Sequence, residues 1–190
     1  MPKLTPTLRL AGALAIITSL MVFAPGPAAA EEFTCRGTVN GRTLDNVRVP
    51  DGARCKLIGT KVEGTIKVET NAVLKAKRVK VIGNIQGEDS RKVVVKSSRI
   101  RGSVQVVQSG KVKVADNRIN GDILVDDNDR FQKIVRNKVG ADVQAFQNDA
   151  RVLIRENRID GNLQCKENSP RPIGGGNIVQ GNKEDQCRNL

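Results

Sequence analysis

Residues 100–104 read IRGSV, and the same phrase returns at 62–66 (VEGTI), 81–85 (VIGNI), 119–123 (INGDI), 139–143 (VGADV), 159–163 (IDGNL) and 179–183 (VQGNK). Its third position is glycine in every copy but one, where Ala141 stands. That position recurs at intervals of 19, 19, 19, 20, 20 and 20 residues. A fixed period with apolar residues alternating inside it is the mark of stacked repeats.

Each repeat resolves into columns. The opening column holds Val62, Val81, Ile100, Ile119, Val139, Ile159 and Val179. Four residues on stand Ile66, Ile85, Val104, Ile123, Val143 and Leu163. Before the next opening come the pairs Val93/Val95, Val112/Val114 and Val152/Ile154, with Leu74/Ala76 as a weaker copy. Each repeat therefore holds about three short strands, rich in the β-branched residues that suit stacked strands. No segment carries a 3.6-residue apolar stripe.

Two polar columns mark corners: Ser98, Asn117, Asn137, Asn157 and Asn177, then Asn71, Ser90, Ser109, Asn128, Asn148 and Asn168. Asn tolerates left-handed backbone and bonds its own backbone at turns. Stacked Asn side chains also form hydrogen-bonded ladders. The glycine column indicates tight bends or close backbone approach. Together these features predict an all-β chain, a single-stranded parallel β-helix of about seven turns.

The ends differ from the middle. Cys35 and Cys55 lie 20 residues apart, one period, and Cys165 and Cys187 lie 22 apart. Residues one period apart sit roughly 4.8 Å apart on stacked turns, a Cα separation that a disulfide accepts. Each pair is expected to staple one terminal turn to its neighbour. Free thiols or a zinc site are the alternatives; two Cys at each end and no His make poor zinc spacing. Residues 169–176 (SPRPIGGG) contain two prolines, which cannot donate to a ladder, so pairing should end there. The expected organisation is a leader at 1–30, an N-terminal cap and first turn at 31–61, repeats at 62–168 and a C-terminal cap at 169–190.

The leader is read from Lys3 and Arg9, an apolar run from Leu10 to Phe23, and a small-residue end at Ala28, Ala29 and Ala30. That is the pattern of a secretory signal peptide. The alternative is an uncleaved anchor, but the run is shorter than the ~20 apolar residues of a spanning helix. With the leader removed, no transmembrane segment is expected, and the chain should be secreted or periplasmic. Loss of Lys3 and Arg9 lowers the net charge from +12 to +10.

Composition excludes several chemistries. His is absent, which removes Ser/His/Asp and Cys/His nucleophilic arrangements and the commonest metal ligand. Trp and Tyr are absent too, and with them the usual sugar- and base-stacking side chains. There is no P-loop or dinucleotide fingerprint, and no cofactor or metal is expected.

One column carries the functional expectation. Immediately before the opening apolar residue stand Lys61, Lys80, Arg99, Arg118, Lys138 and Arg158. Cations roughly 4.8 Å apart repel by about 0.9 kcal/mol per neighbouring pair even in bulk water, less after salt screening. A row that costs stability points to a use: a linear track for an anionic polymer such as an acidic polysaccharide, lipopolysaccharide or teichoic acid, with nucleic acid bound only non-specifically. The bland reading is a solvated face that keeps the solenoid monomeric. The second candidate is acidic. Asp122 and Asp142 share a column, as do Asp129 and Asp149. Paired carboxylates could serve a polysaccharide lyase or hydrolase, or hold Ca²⁺. The run 126–129 (DDND) lacks the Gly and terminal Glu of an EF-hand loop. A third possibility is a scaffold that polymerises end to end.

The repeats resemble secreted bacterial parallel β-helix proteins. The segments 161–168 (GNLQCKEN), 174–177 (GGGN) and 181–187 (GNKEDQC) look like a tail recurring in exported bacterial proteins of uncharacterised function. The resemblance covers nearly all of the chain after the leader. It implies the fold, with a right-handed coil, and no settled activity. A looser similarity links the repeats to bactofilins, β-helices that polymerise end to end; the leader and the stapled ends depart from that pattern. Likeness to pectate lyases is at the level of fold alone, because no turn here exceeds 20 residues and a cleft-building loop is missing.

Overall fold

A computed structural model describes residues 31–190; the leader read at 1–30 lies outside the described residues. All strand pairs are parallel, and strands one period apart lie side by side in three sheets of nine, eight and eight strands. The first, a long sheet, runs from Glu32–Thr34 through strands such as Val104–Val107 to Lys183–Asp185. The second, a wide sheet, contains the longest strands, among them Val73–Lys77 and Lys111–Ala115. The third, a short-strand sheet, contributes two residues per turn, as in Arg99–Ile100. The chain is thus a β-solenoid of about eight turns.

The expected period and inward columns are those observed. Val81, Ile100, Ile119, Val139 and Ile159 stack in register and are buried, as do Ile85, Val104, Ile123, Val143 and Leu163. One turn more is present than the seven copies of the phrase. Leu44 pairs with Val62 and Val47 with Ile66, so residues 44–47 form a turn whose phrase is one residue short and has no glycine.

Most corners from Asp89 onward share one design, while earlier ones put the buried Ala72 after Asn71 and Val79 after Arg78. In the shared design a residue with positive φ, such as Asp116 (60°) or Gln147 (50°), is followed by an inward-facing Ser or Asn. This corrects the expectation that the Asn columns themselves take the left-handed backbone. The Asn residues instead point into the solenoid, where their side chains satisfy buried backbone groups. The Nδ2 of Asn137 donates to Oδ1 of Asn157 (3.0 Å) and to the Val114 carbonyl (2.9 Å), while the Asn137 Oδ1 accepts from the Asn117 N–H (3.1 Å). Asn71 does not belong to this column: it is exposed, has φ 56° and forms a tight turn in which the Ala72 N–H donates to Glu69.

The glycine column has a steric cause. A Cβ at Gly102 would overlap Oδ1 of Asn84, and one at Gly161 would overlap Oδ1 of Asp142. Those oxygens must pass the glycine to accept the N–H of Ser103 (2.9 Å) and Asn162 (2.7 Å). The missing side chain makes room for a third ladder, running through Asn46, Thr65, Asn84, Ser103, Asp122 and Asp142.

Both staples are closed. Cys35–Cys55 and Cys165–Cys187 have Cα–Cα separations of 5.5 and 5.2 Å. The expectation that pairing stops at 169–176 is overturned. Ile173–Gly175, Ile178–Val179 and Lys183–Asp185 complete a further paired turn on Leu153–Arg155, Arg158–Ile159 and Leu163–Cys165. Pro172 sits opposite Val152, where an N–H is missing, so the ladder resumes one residue later at Ile173. Gly174, at φ 147°, takes an inward position where any Cβ would strike the Ile154 carbonyl, and so ends the side-chain core. Phe33 at one end and Leu190 at the other pack against the last core residues.

Candidate functional site: a cationic row on the short-strand sheet

The six cations expected to form a row do so. Lys61, Lys80, Arg99, Arg118, Lys138 and Arg158 are paired in unbroken register along the short-strand sheet, and all are exposed. Alternation places them outward because the next residue of each strand, from Val62 to Ile159, is buried in the core. Thr43 precedes the row and Ile178 follows it, so the row ends before the solenoid does.

Carboxylates hold only its ends. Lys61 pairs with Glu63 (2.6 Å) and Arg158 approaches Asp160 (3.9 Å). Among the described residues, Lys80, Arg99, Arg118 and Lys138 have no carboxylate within 4.0 Å, so the middle of the row keeps its charge uncompensated. Beside the row runs a shallow groove. A recess of about 390 Å³ is lined by Lys61, Lys80, Ile82, Arg99, Arg101 and Arg118. A second, of about 310 Å³, continues from Arg118 and Asn120 past Lys138 to Asp160. Four successive uncompensated cations along a groove can hold a linear chain of negative charge.

The acidic candidates are brought together differently. Asp122 and Asp142 stand on adjacent turns, but their Oδ1 atoms accept the N–H groups of Asp142 (3.0 Å) and Asn162 (2.7 Å). They are members of the third ladder. Asp129 and Asp149 are exposed at a corner, on successive turns. The Asp126 carboxyl is raised from its ordinary value, first by burial and then by the charge of Asp127. Asp116 is lowered, chiefly by the hydrogen bond from Arg136 (2.7 Å). Among the described residues no group of three or more Cys, Asp or Glu is placed to hold a metal ion.

A larger basic surface escaped sequence reasoning. On the wide sheet, Lys56 pairs with Lys75, Lys77 with Lys96, and Lys92 with Lys111. The signal was present: in 92–96 (KVVVK) and 111–115 (KVKVA), lysines occupy outward positions between buried valines. It was hidden because Val73 and Val94 interrupt the columns.

Among the described residues no helix is long and apolar enough to cross a membrane. Two closed disulfides suit an oxidising, extracytoplasmic compartment. Set against protein-family models, curated proteins and solved structures, the chain matches none of them.

Proposed function

We propose that this is an exported, non-catalytic β-solenoid that binds an anionic polymer of the cell envelope or extracellular matrix along the short-strand sheet. The observation that carries the reading is the register of the row: four consecutive turns present a cation without a carboxylate partner beside a continuous groove. Stacking like charges is unfavourable, and a polyanion laid along the row removes that repulsion while releasing its own counterions. Contacts distributed over several turns make binding steeply dependent on salt. The absence of His and the ladder role of Asp122 and Asp142 favour binding over turnover.

The test uses oxidised residues 31–190 and a variant in which all six row cations become Gln. Affinity for acidic glycans and envelope extracts is measured at low and physiological salt. The variant is expected to lose about tenfold or more in affinity and to show a shallower salt slope. Equal binding by the variant would overturn the proposal.

A further inference from the structure

The wide sheet carries no Asp or Glu in any of its eight strands, from Gly37–Asn40 to Ile173–Gly175. Five successive strands, from Arg54–Ile58 to Gln132–Val135, each place at least one cation on its outer face. Between Lys56 and Lys111 these cations stand two to a turn, side by side across the strands rather than in single file. Among the described residues none of them has a carboxylate within 4.0 Å.

The face is also shaped. A recess of about 640 Å³ lies over its leading edge, lined by Arg54, Lys75, Lys92, Lys111, Arg130 and Phe131. A neighbouring one of about 390 Å³ shares Lys75, Lys92 and Lys111 with it and is floored by Ala76 and Val94. The larger recess is of the size that holds a small-molecule or oligomeric ligand. Phe131 is half-buried and lines the recess.

We propose that this face is a second binding site, independent of the short-strand row, and that its ligand is a polyuronate lying along the solenoid axis. Three features select that chemistry. Turns stack at roughly 4.8 Å, a step close to that of one sugar in an extended chain, so one carboxylate per sugar meets one set of cations per turn. Duplex DNA carries one charge per ~1.7 Å of axis, far denser than the turns, and its convex surface meets a flat sheet along only a narrow strip. The apolar C–H face of a sugar suits the single ring of Phe131, whereas a single-stranded nucleic acid needs successive stacking platforms. A lipid surface is disfavoured because the one large exposed apolar side chain on this sheet, Ile173, lies on its last strand, away from the cations.

The experiment titrates oxidised residues 31–190 with oligogalacturonate and, separately, with a DNA duplex of equal total charge, at physiological salt. Four variants accompany the wild type: Lys75→Gln/Lys92→Gln/Lys111→Gln/Lys113→Gln, Phe131→Ala, the six-Gln row variant, and the row variant combined with the four Lys→Gln changes. Circular dichroism and a melt confirm that each is folded. The quadruple variant should bind oligogalacturonate about tenfold more weakly, with a reduced salt slope. Phe131→Ala should weaken it roughly threefold to tenfold with the salt slope unchanged. Adding the four Lys→Gln changes to the six-Gln row variant should weaken oligogalacturonate binding about tenfold below the row variant alone, because the two sites hold an acidic glycan independently. Unaltered binding by the quadruple variant would overturn this site, as would DNA binding as tight as the glycan. Loss confined to the row variant would also overturn it, while leaving the short-strand reading standing.

Discussion

Gln132 faces inward at a position where its partners on the neighbouring turns are Val112 and Val152. It is fully buried, and neither its Nε2 nor its Oε1 has a hydrogen-bond partner. An amide desolvated without compensation costs about 1–3 kcal/mol. Gln132→Leu, of similar volume, is therefore expected to stabilise the protein by roughly that amount, read as a higher urea midpoint with the same slope. Asp126 gives a pH-dependent prediction. Val107 and Phe146 flank it on adjacent turns, and burial with the nearby Asp127 charge raises its carboxyl from its ordinary value. A raised carboxyl binds its proton more tightly in the folded state. Its penalty is therefore full above the folded-state value and vanishes as pH falls through the window down to the unfolded value. Asp126→Asn should raise the urea midpoint at neutral pH and leave it unchanged in strong acid. Asp116 acts in the opposite sense: Arg136 lowers its carboxyl, so its contribution is present above the unfolded value and is lost as pH falls through the folded one. Neither shift was legible in the sequence: that of Asp126 depends on how far its carboxyl is buried, and that of Asp116 on whether the Arg136 side chain closes on it.

Ladders are the element whose loss should be felt most. Asn148 accepts the N–H of Asn128 (3.2 Å) and donates from Nδ2 to the Val125 carbonyl (3.1 Å) and to Oδ1 of Asn168 (2.7 Å). All of these groups are buried. Asn148→Val strands them, each at roughly 1–3 kcal/mol, so a loss of at least ~2 kcal/mol is expected in chemical unfolding. Gly161→Val tests the third ladder. Its side chain displaces Oδ1 of Asp142 from the Asn162 N–H, and a comparable loss is expected, whereas exposed Asn71→Ser should change little. Two Asn columns were legible from spacing alone, because Asn in apolar register stands out. The third ladder was not, since it alternates Asn, Thr, Ser and Asp and reads as ordinary turn composition. The two aspartates singled out for chemistry, Asp122 and Asp142, belong to it.

At the scale of the whole molecule, stability is a sum over turns and their interfaces, so the weakest turns set where opening begins. Each staple closes a loop of about 20 residues, worth roughly 3 kcal/mol in the chain-entropy model. Reduction should therefore speed hydrogen exchange first in residues 31–61 and in the last paired turn, while the amides of 100–143 stay protected. Uniform acceleration along the chain would contradict this picture of independent ends. Charge is also distributed at this scale. Lys and Arg crowd the wide and short-strand sheets, while Glu88 ends a strand of the long sheet and Asp89, Asp127 and Asp129 lie at the corners that follow it.

Period, alternation and the six-cation row were determined by the order of residues, because in a solenoid the neighbour across a ladder is the residue one period away. Both disulfides were expected from spacing and are formed, yet neither joins ladder partners: Gly37 stands opposite Cys55 and Asp185 opposite Cys165. Everything that depends on neighbours other than that one was decided by the tertiary structure. The corner dihedrals turn the Asn side chains inward, and the short first phrase at 44–47 adds an eighth turn. Chain continues to pair beyond Pro172 because a single missing N–H removes one ladder bond and no more. The wide basic face arises only when outward positions from five turns are laid side by side, for contiguity across a sheet is a property of two directions and a sequence has one.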